Sequence, residues 1–330
     1  MSLAMRLIGV GLILFYSCFL RAQLIFPGHA GAFDQYPQFN PEWIKKFRVK
    51  NLTFDILDKK DFQPGKDQGL VHHFDFDTRG NLVRFYYTRI LRETVKEIFV
   101  AGGGKGRHRT APRHIRESAY VYDTISTRFF YDSLSRLIAK RYNDGNYYEA
   151  TYFEYDENGR TLRELRCRET NTNADRNEFT LGVQTIISDE RFTYQSTGQY
   201  QYKKNCLNDE GRPFKEIIAD LNNRQQLTEL NEHFIVSWIS QKTTFQYDQF
   251  GQLTQKTFET NADVTQALKD TFEYDNKGNI TWERQYKNGV LLNERSYLFD
   301  ALNELVTSFV IRDHINKSMR IVKLIYEYYK

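Results

Sequence analysis

Apolar and polar residues alternate along most of the chain in short runs that break at an aspartate. Phe153-Glu154-Tyr155-Asp156-Glu157-Asn158-Gly159 recurs as Phe245-Gln246-Tyr247-Asp248-Gln249-Phe250-Gly251, as Phe272-Glu273-Tyr274-Asp275-Asn276-Lys277-Gly278 and as Phe74-Asp75-Phe76-Asp77-Thr78-Arg79-Gly80. Period-two alternation puts the two aromatics of each run on one face of a strand. The aspartate then accepts backbone N–H groups and starts a turn, which glycine closes by supplying a positive φ. An aliphatic residue two positions on (Leu82, Leu137, Leu253, Ile280, Leu305) begins the returning strand. Weaker copies place Ser135, Gly198, Asn223 and Asn303 in the glycine slot, and from 198 onward the slots are 25, 28, 27 and 25 residues apart. Leu162, three beyond Gly159, and Leu227, four beyond Asn223, predict a bulge or shifted register. Hairpins repeated in this way predict an all-β fold, an elongated or curved antiparallel meander.

Ahead of the repeats, Asn40-Pro41-Glu42-Trp43-Ile44-Lys45-Lys46-Phe47 predicts a short N-terminal helix, with Asn as cap and Pro in the first turn. Residues 24–69 are expected to cap a repeat sheet over 70–330, with a glycine-rich basic insertion near 101–116. Arg6, the apolar run Leu7 to Leu20 and Arg21-Ala22-Gln23 have the outline of a cleavable signal peptide over 1–23. The run is too short for a good membrane span. Export to the periplasm or cell surface, with outer-membrane association, is the expected address.

The Tyr-Asp hairpins resemble the YD repeats of the Rhs and teneurin class over roughly residues 70 to 310. In that family many such hairpins wind into a hollow shell able to enclose a toxin. Only about eight units are visible here, without the Rhs core-end motif, so an open, curved sheet is expected instead of a shell. Asp123-Thr124-Ile125 and Asp132-Ser133-Leu134 resemble O-glycosylation acceptors of the Bacteroidota envelope, and Ala22-Gln23 resembles leader ends in that phylum.

Composition sharpens the picture in two ways. The chain holds 22 Tyr and 25 Phe but only 6 Pro, which suits long, uninterrupted strands. Its 46 Lys and Arg against 42 Asp and Glu leave no nucleic-acid footprint.

Candidate chemistry is sparse. Ala101-Gly102-Gly103-Gly104-Lys105-Gly106 fails the phosphate-loop pattern because Gly follows Lys105, and it fails the dinucleotide pattern because Arg107 takes the third glycine slot. Lys105, Arg107, His108, Arg109, Arg113, His114 and Arg116 could hold an anion such as a phosphate, a lipid headgroup or an acidic glycan, or simply form a solvated loop. Tyr147, Tyr148 and Tyr152 could stack on a sugar or a partner, or could be cross-strand ladders. Cys167 and Cys206 each lie eight residues past a slot, which separates their strands by at least one other and predicts free thiols. The histidines form no ligand pair, and the repeated aspartates are accounted for by turns. No catalytic residue, metal or cofactor is expected. The reading is a non-enzymatic envelope protein that binds or scaffolds a protein partner across an extended sheet face, with a glycan-binding module as the alternative.

Overall fold

A computed structural model describes residues 24–26, 37–100, 113–143, 147–175, 178–262, 266–301 and 305–330. The expected signal peptide over 1–23 lies outside the described residues, as do Lys105, Arg107, His108 and Arg109 of the basic insertion. A small pair, β1 (Ile25–Phe26) and β2 (Gln38–Phe39), precedes the helix α1 (Pro41–Lys46). Next come β3 (Val49–Lys60), β4 (Lys66–Phe76), β5 (Leu82–Val100), β6 (Arg113–Tyr131) and β7 (Leu137–Asn143). The chain continues through β8 (Tyr148–Tyr155), β9 (Thr161–Asn171), β10 (Leu181–Ser196), β11 (Gln201–Leu207), β12 (Pro213–Leu221) and β13 (Leu227–Phe234). It ends with β14 (Ile239–Tyr247), β15 (Leu253–Thr260), β16 (Gln266–Tyr274), β17 (Ile280–Lys287), β18 (Val290–Phe299), β19 (Val306–Asp313) and β20 (Ser318–Tyr328).

Each strand pairs antiparallel with the next, and β20 pairs with β3, so the 18 strands β3 to β20 close into a barrel. This corrects the expected elongated or curved open meander with an N-terminal helix, and with it the YD-repeat, Rhs-like identification. The seam runs from Ser318↔Lys60 to Tyr328↔Val49. It is locked by Arg320 to Asp58 at 2.7 and 3.0 Å, and by the Asn51 amide donating to Glu327 at 2.8 Å. Turn spacing reveals a meander, but closure depends on the twist and stagger summed over all strands, which no single hairpin encodes.

The hairpin chemistry is visible atom by atom. Asp248 accepts the N–H groups of Phe250 and Gln252 at 2.8 and 2.9 Å, and Asp156 and Asp275 do the same in their own turns. Gly80, Gly159, Gly251 and Gly278 all have positive φ, between 77° and 89°, and Ser135 takes the same role at 59°. At the turn assigned to Asn223 the register differs: Asn222 is the acceptor and Gln225 has φ 62°, so Leu227 again falls two positions beyond. The repeated tyrosine has a long-range task. Tyr131, Tyr155, Tyr247 and Tyr274 donate to the carbonyls of Leu82, Leu137, Leu227 and Leu253 at 2.9, 2.7, 2.8 and 2.8 Å. Each hydroxyl thus clamps its own hairpin to the one before. Tyr247→Phe removes one clamp and leaves a part-buried carbonyl short of a donor; a loss of about 1 kcal/mol in urea unfolding is expected.

Register assigns the two walls. Residues directly opposite share a face, so Phe54, His72 and Tyr87 lie on one side and Thr53, His73 and Tyr86 on the other. The first side holds Phe54, Phe74, Phe85, Phe129, Phe245, Phe272 and Phe309, all buried, and is the inward wall. Trp43 and Ile44 of α1 join that core at the end where the Asp-led turns lie, with Asn40 capping the helix through Glu42 and Trp43 at 3.1 and 3.3 Å. The expected helix is therefore one six-residue element closing a barrel end.

One inward polar cluster is paired within the core. Glu283, Arg295 and Tyr297 are buried together, with Arg295 donating to Glu283 at 2.9 Å and to the Tyr297 hydroxyl at 3.2 Å, its guanidinium over Phe309. Burial pushes the Glu283 carboxyl up, against the opposing pull of Arg295. His72, packed against Phe54, Phe85 and Tyr87, is held down to about 4 by burial and by Arg320.

Candidate functional site

Oppositely charged pairs recur on the outward wall, between apolar positions such as Leu298 and Ile325, which are exposed. Lys323 lies opposite Asp55, Asp75 opposite Arg84, and Arg284 opposite Glu294.

One stretch of this wall differs. Across β6 to β10, Phe130, Ala139, Tyr152 and Leu165 form one row, and Arg128, Arg141, Ala150, Cys167 and Ile186 the next. A third row runs Asn143, Tyr148, Glu169, Gln184. The small side chains of Ala139, Ala150 and Cys167 make a shallow trough, and all three are buried although they face outward. Beside the trough, the hairpin between β9 and β10 packs against the wall. Phe179 lies 4.9 Å from Tyr148 between ring centroids, and the Arg141 guanidinium sits 3.8 Å from the Phe179 ring.

Beneath that aromatic cover lies a buried carboxylate. The Glu169 side chain is 0% exposed and accepts from Arg141 Nε at 2.7 Å, from Gln184 Nε2 at 3.0 Å and from the Tyr152 hydroxyl. Tyr152 also accepts from Arg141 at 3.3 Å, and burial followed by its bond to Glu169 raises its phenol above the usual range. Asn171 donates to the Tyr148 hydroxyl at 3.3 Å and to the Glu178 carbonyl at 2.8 Å, tying the hairpin to the wall.

Two of the three tyrosines singled out in the sequence, Tyr148 and Tyr152, therefore meet at one place. Tyr147 does not join them: it packs near Tyr142 and under Arg168, which belong to the inward wall. Arg113 and Arg116 fall in β6, on the ribbon it forms with β5. Arg141, Glu169, Phe179 and Gln184 carry no such signal in the sequence. Counting back from the turn at Asp156 does place Tyr148 opposite Glu169, so that pair was recoverable. Gln184 was not, because register shifts interrupt β10 between Leu181 and Gln184 and between Ile186 and Ser188.

Two other arrangements bear on chemistry. Thr53 Oγ1, His73 and Asp75 form a hydroxyl–imidazole–carboxylate chain at 2.7 and 3.1 Å on the outward wall. Their strands are paired on both sides, and β-ladders offer no cradle of free N–H groups for an oxyanion. Among the described residues no three His, Cys, Asp or Glu side chains gather as a metal set would.

Cys167 and Cys206 are both free and buried. They lie on β9 and β11, on opposite walls, since Cys167 faces Ile186 and Cys206 faces Phe192. Burial raises both thiols. Neither should react with iodoacetamide in the folded protein, and both should label without reductant once unfolded; an unlabelled pair would reveal a bridge.

No protein-family profile matches the chain, and no curated protein matches it. Among solved structures it is similar to a porin-like protein from Bacteroides uniformis ATCC 8492, with 10% identity, TM-score 0.35, and coverage of 84% of this chain and 98% of that one. A porin-like protein from Bacteroides vulgatus ATCC 8482 gives 9%, 0.27, 61% and 94%. The TcdB2-TccC3-Cdc42 complex gives 10% and 0.28 and covers 76% of this chain but 15% of that one.

Proposed function

We propose that the protein acts without catalysis in the bacterial envelope, as a closed barrel that presents part of its outward wall to a protein partner. The observation that carries this reading is the aromatic and apolar set around Phe130, Tyr148, Tyr152 and Ile186, gathered on neighbouring strands of the outward wall. Phe130 and Ile186 are exposed there, at 38% and 62%. Aromatic anchors on a rigid sheet, ringed by charge, are what a protein interface uses for affinity. The glycan alternative draws no support from the tyrosines, because Tyr148 and Tyr152 have their hydroxyls engaged and Phe179 lies against Tyr148.

A photo-crosslinking residue in place of Phe130, used in intact cells, tests the reading. One protein adduct should form from that position and none from Gln246 on the far outward wall, across an interface of about 1,200 Å² or more. An uncomplexed protein that binds a defined oligosaccharide would overturn it.

A further inference from the structure

We propose that the open edge of β10 is a self-association surface, on which a second copy of this chain pairs antiparallel along Leu181–Ser188. β10 pairs with β9 over Leu181–Arg191, but β11 joins it only from Arg191 onward. Among the described residues no strand pairs with the other edge of residues 181–190, and all of 181–187 are exposed. Leu181, Val183, Ile186 and Ile187 are 48%, 68%, 62% and 46% exposed. An edge of this kind carries unpaired N–H and C=O groups and invites another strand.

Two further strands have open edges, and both are interrupted by charge. β4 pairs with β5 only as far as Tyr87, and the rest of β5 includes Arg89, Arg92, Glu93, Lys96 and Glu97. β7 pairs with β6 only over Ser126–Tyr131, and the rest of β6 includes Arg113, Arg116, Glu117 and Asp123. Such charges are the usual protection against edge-to-edge pairing. β10 has none from Leu181 to Ser188, and it has no proline there.

The occupant follows from charge. A strand bringing Lys or Asp to this edge would desolvate that charge against an uncharged one, whereas a second copy brings an uncharged stretch of equal length. Antiparallel pairing about a two-fold axis through Gln184 sets Gln184 opposite its own copy and matches the two stretches to each other. It also brings Arg191 of each copy, 60% exposed, toward the Glu178 end of the other. The two register shifts in β10 keep the ladder short, so the dimer should be weak and concentration-dependent.

This goes beyond the partner reading above; Ile186 belongs to both surfaces, so Thr185→Lys, on the other face of β10, separates a lost dimer from a lost envelope partner. Sedimentation velocity from about 1 to about 100 µM should show the mass double for the natural chain. Ile186→Lys and Thr185→Lys, both at exposed positions, should stay monomeric at the top concentration with unchanged unfolding midpoints. Gln184→Cys should form an intermolecular disulfide with its own copy, while Thr244→Cys, on a strand paired on both sides, should not. A monomer at every concentration with no Gln184→Cys crosslink would overturn the proposal. So would a dimer that survives both lysine variants.

Discussion

Gly80→Ala should destabilise the barrel by about 3 kcal/mol or more, far beyond what the same change does at other turn glycines. Two separate costs meet there. Gly80 has φ +89°, where a side chain is strained, and a Cβ would lie 2.0 Å from the Pro41 carbonyl oxygen. That oxygen belongs to the backbone of α1, so the contact cannot be relieved by rotating a side chain. The helix must move, and Trp43 and Ile44 must leave the core with it. Gly211, at φ +77° with nothing within 4 Å of an added Cβ, is the matched control. Gly211→Ala should cost only the backbone strain, about 1 kcal/mol. Urea midpoints for the two variants measure the difference. Equal losses would mean that α1 does not seat on this turn.

Arg295→Ala should cost about 3–5 kcal/mol at pH 8, because it leaves the buried Glu283 carboxylate without its cation. The loss should shrink on acidification. Burial raises the Glu283 carboxyl above its unfolded value even with Arg295 present, and removing the arginine raises it further. A carboxyl raised on folding binds its proton more tightly in the native state. Its contribution is thus most favourable below the unfolded pKa and declines as pH rises through the folded one. Unfolding at pH 8 and near pH 5 should show the variant recovering relative to the natural protein. Glu283→Gln with Arg295→Met should restore most of the stability, and a pH-independent deficit would contradict the assignment.

The recurring Phe-x-Tyr-Asp runs made the local structure legible. They placed the turns at Gly80, Gly159, Gly251 and Gly278 and put the aromatics of those runs on one wall, because turn chemistry and strand periodicity are properties of neighbouring residues. Asn40 and Pro41 likewise marked α1. Closure was not legible. It depends on β20 meeting β3, and nothing within either strand states its partner. The site was half legible for the same reason. Tyr148 and Tyr152 stand out as a cluster, but Glu169 looks like one acid among many until the register puts it under Phe179. The asparagine turn was displaced because Asn222 and Asn223 are equally good acceptors in sequence, and only the hydrogen bonds choose between them.

The seam has a consequence for how the chain reaches its native state. Asp58 and Arg320, which lock it, are 262 residues apart. Until the 11 residues of β20 are in place, the growing sheet is a stack in which each hairpin feels only its neighbours, and it can lengthen or fray from either end. During that interval β3 displays an unsatisfied edge, and so does the most recently added strand. Both are prone to pair with other chains, and ring formation is slow because it couples the two ends of the polypeptide. A chain cut short before Ser318 would therefore lose far more than one strand's share of stability. It would keep both edges open for good, and its fate would be set by whichever holding chaperone or protease reached it first.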